Sequence, residues 1–383
     1  MKKTFILLFF IVVLFSCRSV QKKEANNYKY SLVKADSIKI NLQDTIPYPP
    51  ASSYAWNYND KYLAFLFSAT RFSGPIRLYY YNFIKKKWKL TLLNSFGPNG
   101  IKSEGSFAFL NDTTLFYDPA KVLERFFIVN NKSAKIIKTY RIKNLTYSIE
   151  YFSPFCVYSD SEYFVFPLTS NMATYRNLKN IKLIGIYNKN TQSLKPMVNY
   201  PPSFPVPELK ESSAQFSPTV TIYKQTVVIN FPKDPFLYSY NFKEGKFSKH
   251  LCENKGVYQV KKYSGDKNRN AFIDFLTGQY KNVVFDPFRK VFYRLSYSFP
   301  NFKNGNITFD NKQEIKNIIK KRRFTVQILD TTLNVIGETS FTNLNGLYFF
   351  VTQKGFYVYK SSGSYDEHEE LGFVNLKLVK RQE

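Results

Sequence analysis

A strand–turn–strand pattern that recurs along the chain constrains the fold more than any other feature of this sequence. In each copy, a run of aromatic and β-branched residues ends at Asn or Asp, and a polar turn and a second strand follow. Asn and Asp suit this position because their side chains bond to nearby backbone and tolerate turn geometry. The runs end at Asn82, Asn130, Asn188, Asn241 and Asp330.

The spacing of the copies predicts a β-propeller. Intervals of 48, 58, 53 and 89 residues separate the five Asn and Asp residues. A period of about 50 residues with several strands in each is typical of propeller blades. The 30 Tyr and 38 Phe, against 15 Gly, also favour strands. The long last interval contains residues 312–319, where Ile315, Ile318 and Ile319 fall on one face of a predicted short helix.

The two ends of the chain are predicted to close the ring together. Three strands are expected after Asp330, and the first strand candidate, at residues 37–42, can supply the fourth and remove the last exposed edges. The predicted fold class is therefore all-β: a six-bladed β-propeller closed by an N-terminal strand that joins the C-terminal blade, with one short helical insert. The run 283–294 is interpreted as the first hairpin of the fifth blade. If it heads a blade of its own, the alternative is seven blades.

The N-terminus predicts export and lipid attachment. Lys2 and Lys3 precede an unbroken apolar run of eleven residues, which is shorter than the roughly 20 residues of a membrane-spanning helix but typical of a secretory signal. The run ends in Leu-Phe-Ser-Cys at Cys17, which resembles the bacterial lipobox. We expect residues 1–16 to be a lipoprotein signal peptide and Cys17 to be acylated, since two or three acyl chains give stable anchoring. The alternatives are a soluble secreted protein and an uncleaved signal in which the Cys is incidental.

These patterns divide the chain into a signal peptide, a tether and one domain. Residues 17–36 are interpreted as the lipidated Cys and a polar tether, and residues 37–383 as a single β-propeller domain. No acidic cluster follows Cys17, so we expect an outer-membrane anchor that faces the periplasm rather than the cell surface. The expected protein is a monomer held at the membrane by the acyl chains on Cys17.

The charge excludes one class of partner. The formal net charge is +27, with 43 Lys and 12 Arg. Nucleic-acid binders favour Arg and cluster their cations, whereas these lysines are scattered along the chain. We therefore expect no nucleic-acid partner and attribute the lysine excess to AT-rich coding. A positive surface that faces anionic lipid or polysaccharide is the alternative.

Two hairpins carry a resemblance to a known family. Residues 285–294 and 327–338, together with the lipobox and a mature length of about 360 residues, resemble the uncharacterised six-bladed, TolB-like β-propeller lipoproteins of the Bacteroidota. The similarity would cover essentially the whole chain. It implies a fold and an envelope location, but it brings no activity, so it assigns no catalytic residue.

The sequence offers little for metal or cofactor chemistry. His250 and His368 are the two histidines, and a zinc site needs three or four ligands. The acidic run at 366–370 lacks the spaced oxygen ligands and the glycine of a calcium loop. We predict neither a metal nor a cofactor. Cys156 and Cys252 could pair in an oxidising compartment or serve as small buried hydrophobes.

No catalytic residue can be assigned from motifs. Gly-x-Ser-x-Gly, phosphate-loop and Gly-x-Gly-x-x-Gly patterns are all absent from the sequence. A glycosidase needs only two carboxylates close in space, so acids such as Asp160 and Glu162 could still meet at the propeller channel. A carbohydrate-active or other hydrolytic enzyme built in this way is the alternative function.

One loop is predicted to contact a ligand. Tyr54, Trp56, Tyr58 and Asp60 cluster within one short segment, a mixture that can stack on sugar rings or anchor a protein partner. The segment could equally be the entry to the first blade, with its rings buried between sheets. The predicted function is a lipid-anchored cell-envelope β-propeller that acts as a binding or scaffolding module for an unknown envelope protein or glycan, with no catalysis expected.

Overall fold

The computed structural model describes the chain from Tyr28 to Arg381 with gaps. The described residues are 28–41, 53–57, 59–68, 76–93, 105–119, 125–142, 147–149, 156–170, 180–201, 218–254, 256–257, 278–298, 321–360 and 370–381. Within these ranges the regular structure is β-strand, with no α-helix and hence no helix able to cross a bilayer. The predicted signal peptide, Cys17 and the predicted helix at 312–319 lie outside them.

Four small antiparallel sheets follow one another along the chain. The first contains β2 (Ser53–Trp56), β3 (Tyr62–Ser68), β4 (Ile76–Asn82) and β5 (Lys87–Leu93), and the second β6 (Gly105–Phe109), β7 (Thr114–Pro119), β8 (Arg125–Asn130) and β9 (Ile136–Arg141). The third contains β10 (Tyr147–Ile149), β11 (Tyr158–Ser159), β12 (Tyr163–Ser170), β13 (Lys182–Asn188) and β14 (Ser193–Asn199). The fourth contains β15 (Thr219–Tyr223), β16 (Thr226–Asn230), β17 (Phe236–Asn241) and β18 (Lys246–Leu251).

A fifth, eight-stranded sheet joins the two ends of the described chain. One half contains β19 (Gln279–Asp286), β20 (Val291–Ser298), β21 (Arg323–Leu329) and β22 (Val335–Phe341). The other, which we call the terminal half, contains β23 (Leu344–Thr352), β24 (Gly355–Lys360), β25 (Glu370–Lys380) and β1 (Tyr30–Asn41). The predicted hairpin at 283–294 is thus β19–β20, in the same sheet half as β21–β22.

The N-terminal strand pairs with the C-terminal one, as the sequence predicted. β1 runs antiparallel to β25 from Tyr30, opposite Lys380, to Asn41, opposite Glu370, with one register shift. The strand begins earlier than the predicted domain start at Ser37, so residues 30–36, assigned from sequence to the polar tether, belong to it. Lys34 and Asp36 of this stretch are exposed, and this polarity hid the start of the strand from a hydrophobic pattern.

The recurring Asn or Asp adopts the turn geometry that the sequence indicated. Asn82 Oδ1 accepts hydrogen bonds from the backbone N–H of Ile84 and Lys85, both at 2.9 Å. The same pair of bonds recurs at Asn130, Asn188 and Asn241, and Asp330 accepts from Thr332 and Asn334. These local bonds satisfy turn backbone and fix where each strand ends.

Clusters of buried aromatic and aliphatic side chains lie between successive sheets. Phe116 and Phe126 of the second sheet, for example, stack at 4.7 Å and pack against Phe164 and Phe166 of the third. Equivalent clusters join the other neighbouring sheets, and one joins the terminal half to the first sheet. Each sheet therefore buries both faces against its neighbours, in a propeller-like arrangement.

The hairpin turns gather at one end of the sheets. We call each small sheet, and each half of the eight-stranded sheet, a set. In an antiparallel set, the turn between the first two strands and the turn between the last two lie at the same end. Neighbouring sets are linked there, since Asp112 accepts from Asn59 at 2.7 Å and Lys61 at 2.5 Å, and Asp60 accepts from the Gln353 N–H at 3.0 Å. We call this end the turn face. It comprises residues 57, 59–61, 83–87, 110–113, 131–135, 160–162, 189–192, 224–225, 242–246, 287–290, 330–334 and 353–354, with Lys29 and residues 380–381.

Candidate functional site

The first strands of successive sheets line a narrow central channel. Its cavity is about 80 Å³. The lining residues come two from each of five sets: Ala55 and Trp56, Ala108 and Phe109, Cys156 and Val157, Val220 and Thr221, and Val283 and Val284. Contributions from five sets place these strands around a common axis.

The described lining of the channel is mostly aliphatic and aromatic, with Cys156 and Thr221 as its polar side chains. No Asp or Glu is among these lining residues, which leaves the predicted pair of channel carboxylates without support there. The thiol of Cys156 accepts a hydrogen bond from the Ile222 N–H at 3.3 Å, and burial raises its pKa. A protonated thiol beside aliphatic side chains provides neither an acid–base pair nor a reactive nucleophile.

A much larger groove lies between the first sheet and the terminal half. Its volume is about 600 Å³, within the range of roughly 300–1,000 Å³ that is common for ligand sites. The lining residues are Ser37, Ile38, Lys39, Asn59, Asp60, Tyr81, Phe83, Ile84, Lys86, Phe350, Thr352, Lys354 and Tyr357. Both ends of the chain thus contribute to one site.

Aromatic rings form the wall of the groove. Phe83 packs at 5.4 Å from Tyr81 and at 5.2 Å from Phe350, and Phe350 stacks on Tyr357 at 4.9 Å with 10° between the planes. Burial raises the pKa of Tyr357 to about 12, so this phenol stays neutral. The rings brace one another and give the groove a rigid, largely apolar wall.

Charged groups line the groove beside this wall. Asp60 adopts a left-handed backbone (φ 57°) that turns its carboxylate towards the β23–β24 turn, where it accepts from the Gln353 N–H. Burial raises the pKa of Asp60, partly offset by that hydrogen bond. The cations are Lys86 and Lys354, both exposed, and Lys39, which pairs with Glu370 at 2.7 Å.

A second network holds the groove's turn in place from the opposite side. Arg289 donates to the Thr352 carbonyl at 3.1 Å and to the Gln353 carbonyl at 2.8 Å. Its guanidinium is itself held by the buried carboxylate of Asp286 at 2.8 Å. The 353–354 turn is therefore fixed between Asp60 and Arg289, and Lys354 sits on a positioned backbone.

The structure separates the residues of the predicted ligand-contact loop. Tyr54 is buried, accepts a hydrogen bond from the Phe349 N–H at 3.3 Å, and stacks on Trp56 at 6.1 Å. Trp56 lines the channel, whereas Asp60 lines the groove. Tyr58 lies outside the described residues. The two described rings therefore belong to the packing between sheets, and only Asp60 reaches the groove.

The other candidates from the sequence take structural positions. Asp160 accepts from the N–H groups of Glu162 and Tyr163 at 2.9 and 2.7 Å and organises the turn before β12. Cys156 and Cys252 are both free thiols. Among the residues that the structure describes, no three His, Cys, Asp or Glu side chains are grouped as metal ligands. His368 lies outside that part of the chain.

His250 faces a small cavity beside the fourth sheet. Its Nε2 lies 3.0 Å from the Ser239 hydroxyl on the neighbouring strand, and burial lowers its pKa. The cavity is about 220 Å³ and is also lined by Tyr223, Phe292 and Thr332. The buried thiol of Cys252 contacts the Leu333 carbonyl at 3.5 Å.

Sequence reasoning missed most of the groove. In the sequence, Tyr81 and Phe83 look like ordinary hairpin residues. Phe350 and Tyr357 look like ordinary core residues of strands near the C-terminus. Their meeting depends on ring closure, which brings the last described strands beside the first sheet. The predicted pairing of β1 with the C-terminal strands was the one signal that could have located this seam.

Together these features define an all-β, propeller-like protein with a narrow channel and an aromatic groove where the last described strands meet the first sheet. The chain belongs to the family DUF4221, a domain of unknown function, whose match spans residues 29–340. The sequence resemblance to an uncharacterised Bacteroidota family agrees with this assignment at the level of family and source.

Two solved structures share the fold. A DUF4221 family member from Bacteroides vulgatus superposes with a TM-score of 0.73 at 14% identity, covering 93% of this chain and 100% of its own. A Bacteroides fragilis protein whose name describes it as exported gives a TM-score of 0.52 at 10% identity, covering 94% of this chain and 98% of its own. No curated protein matches at a significant level.

Proposed function

We propose that this protein is a lipid-anchored binding or scaffolding module of the cell envelope, and that its groove takes a segment of a glycan or of a protein partner. The groove carries this proposal. It combines a large volume, a braced aromatic wall and a few polar groups, the arrangement typical of ligand sites. Aromatic faces stack on sugar rings, while Asn59, Asp60 and the lysines offer hydrogen bonds to hydroxyls.

We also propose that the ring has six four-stranded blades, as in TolB-like propellers. Among the described residues, backbone pairing joins the two halves of the eight-stranded sheet only between β1 and β22, at Tyr30 opposite Gly337. Each half has the four-stranded order of the small sheets. Counting the halves as separate blades gives six, and the buried clusters then match the junctions between successive blades.

The location proposed is the periplasmic face of the outer membrane. The lipobox ending at Cys17 supports acylation, and the exported relative from Bacteroides fragilis supports a place outside the cytoplasm. Mass spectrometry of the protein from its native membrane would show the diacylglycerol mass on the peptide that begins at Cys17. Cys17→Ser should release the protein from the membrane. Retention of the variant at wild-type levels would contradict the anchor.

The groove is tested with a glycan array and a peptide library, using the chain from residue 18 onward. This chain keeps every described strand, because β1 begins at Tyr30. Ile84 is 72% exposed at the groove and Leu251 is 58% exposed on the fourth sheet, away from it. We expect Ile84→Ser or Phe83→Ser to weaken any ligand found by about tenfold, the loss that one apolar contact of about 1.4 kcal/mol would give.

Leu251→Ser is the matched control and should leave that affinity unchanged. If Ile84→Ser, Phe83→Ser and Leu251→Ser all bind like the wild type, the groove is not the site. If neither glycans nor peptides bind, the binding proposal itself fails.

A hydrolytic enzyme is the second candidate, and one observation favours it. Ser239 and His250 lie within hydrogen-bond distance beside a cavity, which is the nucleophile–base contact of acyl-transfer enzymes. Turnover of ester or amide substrates that is abolished by both Ser239→Ala and His250→Gln would replace the binding proposal with this one. Equal background rates for the wild type and both variants would reject it.

A further inference from the structure

We infer that the turn face binds the surface of an anionic lipid bilayer. This inference rests on the proposed anchoring at Cys17, because the anchor sets which face can reach the membrane. It goes beyond that anchoring by assigning an orientation, so that one face lies on headgroups. Three independent features of the structure carry it: where the chain enters the fold, where the cations lie, and which apolar side chains lie among them.

The chain enters the fold at the turn face. Tyr30 pairs with Lys380, and the Arg381 N–H donates to the Lys29 carbonyl at 3.0 Å, so the first described residues lie at the same end as the hairpin turns. Twelve residue steps separate Cys17 from Lys29, which span at most about 40 Å when fully extended. An acylated Cys17 therefore keeps the entry point on the turn face within about 40 Å of the membrane.

Positive charge dominates the exposed side chains of this face. Its exposed acids are Glu162 and Glu244. The exposed cations come from the turns of nearly every sheet: Lys29, Lys85, Lys86, Lys87, Lys132, Lys135, Lys224, Lys243, Lys246, Lys290, Lys354, Lys380 and Arg381.

The remaining acids of the turn face are already engaged in the fold. Asp112 binds Lys61 and two asparagines, and Asp60, Asp160 and Asp330 accept from turn N–H groups. These four carboxylates are partly buried. Because they are already bonded within the fold, they neutralise little of the charge of the exposed lysines. A face of this charge is attracted to anionic headgroups, by about 1 kcal/mol for each cation close to the surface.

Two apolar side chains project among these cations. Ile84, 72% exposed, precedes Lys85, Lys86 and Lys87 in the β4–β5 turn, and Phe288, 39% exposed, lies in the β19–β20 turn. Lysines interleaved with exposed Ile and Phe are typical of surfaces that lie at the headgroup boundary, where apolar tips insert and cations contact phosphates. A polysaccharide lying on the turn face would use the cations but would give Phe288, which is not among the groove residues, no apolar phase to enter.

The test uses the chain from residue 18 onward and sedimentation with lipid vesicles. One set of vesicles contains one quarter phosphatidylglycerol in phosphatidylcholine, and the other contains phosphatidylcholine alone. We expect binding to the anionic vesicles only, with strong weakening as salt rises from 0.1 to 1 M, where the screening length falls from about 10 to about 3 Å.

A triple variant locates the interaction on the turn face. Lys85→Gln, Lys86→Gln and Lys87→Gln together should lower the partition coefficient on the order of 100-fold, at about fivefold for each lysine. The matched control makes the same charge change at exposed cations towards the opposite ends of strands: Lys249→Gln, Lys321→Gln and Arg323→Gln. It should lower binding by much less. Ile84→Ser should weaken vesicle binding at unchanged net charge.

Two outcomes would overturn the inference. The first is no binding to anionic vesicles, and the second is equal loss in the two triple variants, which would show an effect of net charge without a preferred face. Neither outcome bears on Cys17, whose acylation is measured separately by mass spectrometry. Ile84, Lys86 and Lys354 also line the groove, so the groove is tested by its own ligand assay in the absence of vesicles.

Discussion

A fully buried arginine makes the sharpest test of how the sheets hold together. Arg294 on β20 reaches into the fourth sheet, where Nε donates to Asn230 Oδ1 at 2.8 Å and the terminal nitrogens donate to the carbonyls of Asp234, Pro235 and Cys252 at 2.6–3.0 Å. A longer bond of 3.4 Å reaches the Phe236 carbonyl, and the guanidinium lies 3.4 Å from the centre of the Tyr280 ring.

The cost of removing this side chain follows from those contacts. Arg294→Met keeps most of the volume but removes one donor from each of these carbonyls, at about 1–3 kcal/mol for each that has no other donor and that water does not reach. The Pro235 carbonyl keeps the Cys252 N–H at 2.9 Å. Burial lowers the pKa of Arg294, which shows that the charge is itself costly to bury, so part of the loss is recovered. We expect the free energy of unfolding to fall by about 3–5 kcal/mol, as when one partner of a buried charged network is removed.

Urea unfolding followed by circular dichroism measures the change. With m of about 3 kcal/mol/M, the midpoint should fall by about 1–1.7 M. Arg323→Met is the matched control, because Arg323 is exposed at the start of β21, and it should change stability by less than about 0.5 kcal/mol. A loss below about 1 kcal/mol for Arg294→Met would refute the argument that its carbonyl partners depend on it.

Three further predictions concern the closing strand, the thiols and a buried acid. Gly337→Ala would place a methyl 2.5 Å from the Tyr30 carbonyl oxygen, so we expect a loss of about 1–3 kcal/mol and faster hydrogen exchange in β1. Gly245→Ala, whose methyl meets no atom within 4 Å at φ +68°, should cost about 1 kcal/mol without that local effect. Burial raises the pKa of Cys252 to about 11, so a thiol reagent at pH 8 should label it only after unfolding; rapid native labelling would contradict this. Burial raises the pKa of Asp118 well above its ordinary value, so the stability of the wild type should fall as the pH rises from about 4 through that pKa. Asp118→Asn should therefore stabilise the protein at pH 8 but not at pH 4. Equal effects of the substitution at the two pH values would refute this prediction.

The parts of the fold that depend on local chemistry could be predicted from the sequence. Asn82 and its counterparts identify hairpins because one side-chain oxygen satisfies two turn N–H groups, an interaction contained within four residues. The closure by β1 was also predictable, because a ring of strands needs a partner for its last edge. The start of β1 was not, because Lys34 and Asp36 face solvent and give residues 30–36 little hydrophobic signal.

The candidate site could not be predicted in the same way. Tyr54 and Trp56 attracted attention as neighbours in sequence, yet both rings serve the packing between sheets. The groove instead joins Tyr81 and Phe83 to residues far along the chain. Side chains that meet across a seam have no fixed spacing, so no motif search could have found them.

The lysines show how a fold can convert a scattered pattern into a directional one. Along the sequence they form short runs and isolated residues, and on that basis composition alone explained them. An antiparallel set returns two of its turns to the same end, and turns are where exposed polar residues accumulate. If turns are rich in lysine, their positive charge therefore accumulates on one face of the fold, even though the lysines form no cluster in the sequence. The vesicle assay decides between a bias of composition and a selected surface, because only a selected surface predicts that Lys85, Lys86 and Lys87 matter more than equally exposed cations elsewhere.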